Sequence, residues 1–203
     1  MKIALIGATG NVGSRLLAEA LRRGHAVSAV VRHPDKVPAQ PGVVARQGDV
    51  TEPEALAVVL AGHDAVISSM RLVETDPMTL IGAVKRAGVP RLLAVGSAGS
   101  LEVAPGVQLV DTPQFPAAYR AEALAGRAFL NALRQERELA WTFVSPSALF
   151  LPGERTGRFR LGTNRLLIAA AGKSWISFED FAVALFDELE RPRHARARFT
   201  VGY

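Results

Sequence analysis

Lys2-Ile3-Ala4-Leu5-Ile6-Gly7-Ala8-Thr9-Gly10-Asn11-Val12-Gly13 decides how the rest of the chain is read. An apolar run of buried-strand length passes directly into glycines spaced Gly-x-x-Gly-x-x-Gly, and these open into a helix-period segment. That segment, Val12 to Arg23, puts Val12, Leu16, Leu17, Ala20 and Leu21 on one face, and Gly24 stops it. The order strand, glycine turn, helix suits a dinucleotide diphosphate. Glycine lets the backbone approach closely, and a helix start offers unpaired N–H groups and a positive dipole end.

The same alternation continues to about Ser145. Strands are expected at Lys2 to Ile6, Ala26 to Val31, Val43 to Gln47, Ala65 to Ser68, Arg91 to Val95 and Ala140 to Ser145. Helices are expected from Pro53 to about Ala61 with Thr51 as cap, from Asp76 to Ala87, and from Ala117 to about Glu136 with Leu124, Ala128, Ala132 and Leu133 inward. Phe178, Phe181, Ala182, Leu185, Phe186 and Leu189 mark a last amphipathic helix. This is an α/β chain with a doubly wound parallel sheet of the Rossmann type. It reads as one domain over residues 1–203, with a short substrate-side segment from about 146 to 203. Two stretches break the rhythm, Gly99 to Pro116 and Pro152 to Asn164. Both follow strands, so both are expected as functional loops over the carboxyl edge of the sheet, where ligands bind.

The strand ends then carry the expected ligand contacts. Gly7, Thr9, Gly10, Asn11, Val12 and Gly13 form the diphosphate turn. Arg32 stands nineteen residues after Gly13, where an acidic residue would bind the ribose 2′-OH of NAD and a basic one accommodates the 2′-phosphate of NADP. Arg32, helped by His33, therefore predicts NADP(H) over NAD(H). Asp49, followed by Val50, is placed either to accept from the adenine amino group or to cap the next helix with Thr51. Ser68, Ser69 and Met70 are expected beside the ribose, Ser97 at the end of the fifth strand. Ser145, Pro146 and Ser147 turn either beneath the nicotinamide or simply as a strand end.

Composition narrows the alternatives. The chain has no Cys, which excludes disulfides, thiolate metal sites and a cysteine nucleophile. No two histidines have ligand spacing, so no metal is expected. No apolar stretch reaches the roughly 18 residues of a spanning helix, so a soluble cytoplasmic protein without membrane contact is expected. The formal charge of +5 asks for an anionic partner. The basic cluster Arg191 to Arg198 lacks interleaved aromatics and reads as a solvated connection, so no nucleic-acid partner is expected.

Taken together, Gly7 to Gly13, Val31-Arg32, Gly48-Asp49-Val50 and Gly96-Ser97-Ala98-Gly99-Ser100 resemble the atypical short-chain dehydrogenase/reductases. More narrowly, they are similar to the NAD(P)H-binding group of NmrA-like proteins and biliverdin reductase B-type flavin reductases. Carbonyl reducers of the wider superfamily use Ser, Tyr and a Lys four residues after the Tyr, the ammonium lowering the phenol's pKa from about 10. Tyr119 lies on the matching helix, but position 123 is Ala. The resemblance therefore implies a reductase of small conjugated acceptors, flavin- or quinone-like, with Ser97 and Tyr119 as polar contacts at the catalytic end. The other readings are a nucleotide-binding sensor without catalysis and, less favoured, an epimerase. A monomer or homodimer is expected.

Overall fold

A computed structural model describes residues 1–203. One eight-stranded sheet organises it. In chain order the elements are β1 (Lys2–Ile6), α1 (Asn11–Arg22), β2 (Ala26–Val31), β3 (Val43–Gln47), α2 (Pro53–Leu60), β4 (Ala65–Ser68), α3 (Pro77–Arg86), β5 (Arg91–Val95) and the short pair β6 (Glu102–Ala104) and β7 (Val107–Gln108). They continue with α4 (Ala117–Gln135), β8 (Ala140–Pro146), β9 (Leu149–Leu151), β10 (Arg160–Gly162), β11 (Trp175–Ser177), α5 (Phe178–Glu190) and β12 (Ala197–Gly202). The sheet order is β10-β12-β8-β5-β4-β1-β2-β3, parallel except for the β10–β12 pair. Because β1 is flanked by β2 on one side and β4 on the other, the strand order reverses there. A crevice for a ligand opens at such a switch point.

Buried parallel strands need apolar residues on both faces, and these have them. Ile3, Leu5, Ile67, Leu93, Val144 and Phe199 meet Leu16 and Leu17 of α1 and Phe181, Leu185 and Phe186 of α5 on one side. Ala4, Ile6, Val66, Leu92 and Phe143 meet Leu56 and Leu60 of α2, Leu80 and Val84 of α3, and Phe129 and Leu133 of α4 on the other. The first five strands coincide with the expected ones. The sixth runs one residue further, to Pro146, tolerable at a strand end where no ladder N–H is required.

Three expectations need correction. The inward face of α4 is Ala123, Gly126, Phe129, Leu130 and Leu133, whereas Leu124 is 39% exposed and Ala128 is exposed. The reason is contact with the end of β5: a Cβ on Gly126 would lie 2.7 Å from Ser97 Cβ, and one on Gly99 would lie 2.5 Å from Ala123 Cβ. The helix turns its small residues, not its leucine, toward that strand. Thr51 does not cap α2, whose N-cap residue Glu52 makes no side-chain cap bond. Third, the Arg191 to Arg198 cluster is only partly solvated. Arg198 is buried and donates to the Ser100 carbonyl and hydroxyl and to Asn164 Oδ1, its pKa pushed down by burial to about 10. His194 Nδ1 lies 2.8 Å from the buried Glu188 carboxylate. Burial alone would raise the Glu188 pKa, but its bonds to His194 and to the Arg193 and His194 amides hold it below the usual value.

The expected loop after β5 holds the β6–β7 hairpin, and Arg127 and Arg120 tie the turn that follows it to α4 through Asp111 and the Val110 carbonyl. Gly126→Ala is expected to destabilise the fold by about 1–3 kcal/mol in urea unfolding through overpacking against Ser97. Gly82→Ala, in α3 with nothing within 4 Å of the added methyl, is expected to stabilise it by roughly 0.5–1 kcal/mol. Equal effects at the two sites would refute the packing assignment.

Candidate coenzyme site

Gly7 leaves β1 at φ +82°, a left-handed angle that favours glycine. Its N–H donates to the Val30 carbonyl of β2 (3.1 Å). A Cβ here would lie 2.6 Å from the Ser69 carbonyl oxygen and 3.2 Å from Met70 Sδ, so the residues after β4 press on this turn from the other side of the switch point. Gly13 is required for a second reason. A Cβ on it would stand 2.0 Å from the Gly7 carbonyl oxygen, so only glycine lets the first turn of α1 lie on the turn that precedes it.

Gly10 differs from both. Its backbone (φ −74°, ψ 170°) is open to any residue, and an added Cβ would meet only Gly7 O, at 3.4 Å. Packing within the chain does not require glycine there. Close approach of something outside it would. The start of α1 points the same way, since Gly10 supplies no side-chain cap and no acidic residue lies in the first turn. The first amides of α1 are thus left for an anion, with Thr9 and Asn11 exposed beside them and Val12 half-buried. These features fit a coenzyme diphosphate.

At the end of β2, Arg32 and His33 are exposed, and Arg32 forms no ion pair. Asp49, half-buried after β3, accepts at Oδ1 from the amide and the hydroxyl of Thr51, both at 2.9 Å. Those two bonds and the nearby Arg32 charge hold its carboxyl below the usual range. Its partnership with Thr51 is therefore a local turn rather than a helix cap. Val50 is buried behind it.

Ser68 is buried at the end of β4, with Ser69 and Met70 half-buried at the crevice. The turn that follows is held by a residue the sequence did not flag. Glu122 of α4 accepts from the amides of Leu72 (2.7 Å) and Val73 (3.3 Å), fastening the β4–α3 connection to α4. Ser97 Oγ accepts from the Gly99 amide at 3.0 Å, which leaves its own proton available to a ligand. Tyr119 is 67% exposed, while Ala123, one helical turn later, is 2% exposed. The two positions are not presented to the same environment.

At the end of β8, Pro146 is buried and Ser147 Oγ donates to the Val201 carbonyl. Ser145 Oγ is fully buried without a hydrogen-bond partner, and so is Oγ1 of Thr200, its neighbour across the β8–β12 ladder. Unpaired buried hydroxyls are uncommon, and these mark a polar spot near the carboxyl edge. Thr200 was not anticipated, because its cross-strand partner is fixed only by the register of β12. No three His, Asp or Glu side chains come together as a metal site, and no helix is long and apolar enough to cross a membrane.

A family model described as NAD(P)H-binding matches residues 7–192. The chain belongs to this NAD(P)H-binding family. The uncharacterized protein YwnB of Bacillus subtilis is 41% identical over 99% of this chain and 98% of its own length. A solved structure from Bacteroides thetaiotaomicron, described provisionally as an epimerase, is 46% identical with a TM-score of 0.95, covering 100% of this chain and 96% of that one. Another, from Streptococcus pneumoniae and described provisionally as an NADH-flavin reductase, is 36% identical with a TM-score of 0.84, covering 100% and 99%.

Gly10→Ala is expected to separate binding from folding. Its thermal midpoint is expected to stay within about 2 °C of the parent, while calorimetric affinity for NADPH falls at least about tenfold as the methyl excludes the diphosphate. Unchanged affinity would contradict the placement.

Proposed function

We propose that the chain is an NADPH-dependent reductase that delivers hydride to small conjugated acceptors of flavin or quinone type. The observation that carries this reading is the burial of Ala123 against Gly99. A lysine at that position would need space the β5–α4 contact occupies, and no ammonium stands one turn beyond Tyr119 to assist it as an acid. Without that acid an alcohol–ketone reaction would lose about 10²- to 10⁴-fold. A conjugated ring spreads the incoming charge, so water can supply the proton and the chain's main task is to position two rings. The flavin-reductase description of the Streptococcus relative supports the same acceptor class. An epimerase, which the Bacteroides description raises, depends on the acid–base pair that Ala123 leaves incomplete.

When bound, the nicotinamide supplies the hydride. In this reading the Gly7 to Gly13 turn holds the diphosphate, Arg32 with His33 receives the 2′-phosphate, and Asp49 and Val50 border the adenine. Ser68, Ser69 and Met70 lie along the ribose. Ser145, Pro146 and Ser147 hold the nicotinamide end, and Ser97 and Tyr119 offer polar contacts to the acceptor. The exposure of Tyr119 favours a second reading, nucleotide sensing without turnover. It is distinguished by NADPH changing the oligomeric state, or recruiting a partner, in the absence of any acceptor.

Two measurements test the proposal. NADPH is expected to bind at least about tenfold tighter than NADH, and Arg32→Asp to abolish that preference by removing a charge-assisted contact. A preference unchanged in Arg32→Asp would remove the assignment. Steady-state NADPH oxidation above background is expected with FMN, FAD or members of a quinone panel, and coenzyme binding without turnover on any of them would favour the sensor.

A further inference from the structure

The segment Pro152 to Asn164 takes no part in the coenzyme cradle, yet it is firmly built. Asp180, in the first turn of α5, is 0% exposed and has no cation in contact. Its carboxylate instead accepts from the Thr156 hydroxyl, the Gly157 amide (2.8 Å) and the Tyr203 phenol (2.7 Å). Ser177 Oγ accepts from the Asp180 amide (3.0 Å), donates to the Glu154 carbonyl (2.9 Å) and lies 2.8 Å from the Tyr203 oxygen. Burial and the neighbouring Asp180 charge push the Tyr203 phenol's pKa up, so it remains protonated in this network. The Tyr203 ring is in turn set against Trp175, centroids 4.3 Å apart at 54°, and its amide donates to the Trp175 carbonyl.

This aromatic corner stands at the carboxyl end of β12, the strand beside β8 whose Ser145 and Pro146 end the coenzyme crevice. A cavity of about 630 Å³ opens on it, lined by Gly153, Glu154, Thr156, Arg158, Trp175 and Tyr203. Trp175 is 39% exposed, an unusual placement for a large ring. Arg158 is the one cation among the lining groups, and no carboxylate pairs with it, not even Glu154 four residues earlier on the same loop. The neighbouring arginines are committed: Arg155 to Glu19, and Arg160 to the carbonyls of Ile168 and Tyr203. An immobilised indole–phenol pair beside a free guanidinium is complementary to a flat π-system with a negative substituent.

We propose that the Trp175–Tyr203 cavity binds a planar aromatic ring carrying an anionic group, with Arg158 receiving the charge. As the docking place of the reductase's acceptor it rests on the function proposed above, but its binding is measurable without turnover. The probes are FMN and its uncharged counterpart riboflavin, titrated calorimetrically into the full chain without NADPH. FMN is expected to bind saturably, and riboflavin about tenfold more weakly, the worth of one charge-assisted contact. R158A should bring FMN to the riboflavin level and leave riboflavin unchanged. W175A should weaken both about tenfold, while W175F, which keeps a ring, stays within about threefold. NADPH affinity should be unaltered in all three.

No saturable FMN binding at millimolar concentration, or FMN affinity unchanged in both W175A and R158A, would overturn the proposal. A changed oligomeric state in W175A with unchanged FMN affinity would overturn it too, and would make this corner a contact between copies. If FMN binds as expected but NADPH is never oxidised in its presence, the reductase reading fails alone. If NADPH is oxidised and the FMN KM is the same in W175A and R158A, this inference fails alone.

Discussion

The approach of α1 to the turn after β1 is the contact on which the rest depends. A Cβ on Gly13 would stand 2.0 Å from the Gly7 carbonyl oxygen, and one on Gly7 would stand 2.6 Å from the carbonyl oxygen of Ser69, just beyond the neighbouring strand. Two strands and a helix start therefore converge on a few ångströms of backbone. The convergence leaves the first amides of α1 aimed into the crevice where the strand order reverses, with no side chain or acid to occupy them. Packing requires glycine at positions 7 and 13, but nothing within the chain requires it at Gly10.

A second close approach sets the position of α4. Gly99 and Gly126 let α4 lie against the end of β5, and that contact buries position 123 while Tyr119 stays in solvent. Glu122, between them, reaches out to hold the turn after β4. Helix α4 thus braces the connection after β4 against the end of β5.

The sheet was legible because parallel strands buried on both faces leave continuous apolar runs, and β1, β2, β4 and β5 stand where those runs lie, whereas β3 is an exposed edge strand. The glycine turn was legible for a similar reason, since few sequences put such spacing between a strand and a helix. The α4 face was misjudged by about one residue because apolar periodicity favours leucine over alanine and glycine, whereas the contact with Ser97 and Gly99 admits only small residues. Arg198 resembled its solvated neighbours, since nothing local announces that β12 carries it beneath Ser100 and Asn164. Glu122, Thr200 and the Asp180–Tyr203 pair lay beyond reach for a common reason: each acquires its partner through a pairing between segments distant in the chain.

The central claim, that the β1–α1 turn holds the coenzyme, is tested most directly by amide NMR of the ¹⁵N-labelled chain titrated with NADPH. The account predicts saturable shifts concentrated at Thr9, Gly10, Asn11, Val12 and Gly13, with a second group at Arg32 and His33. Shifts absent from those residues at saturating coenzyme, or confined to another part of the molecule, would contradict it.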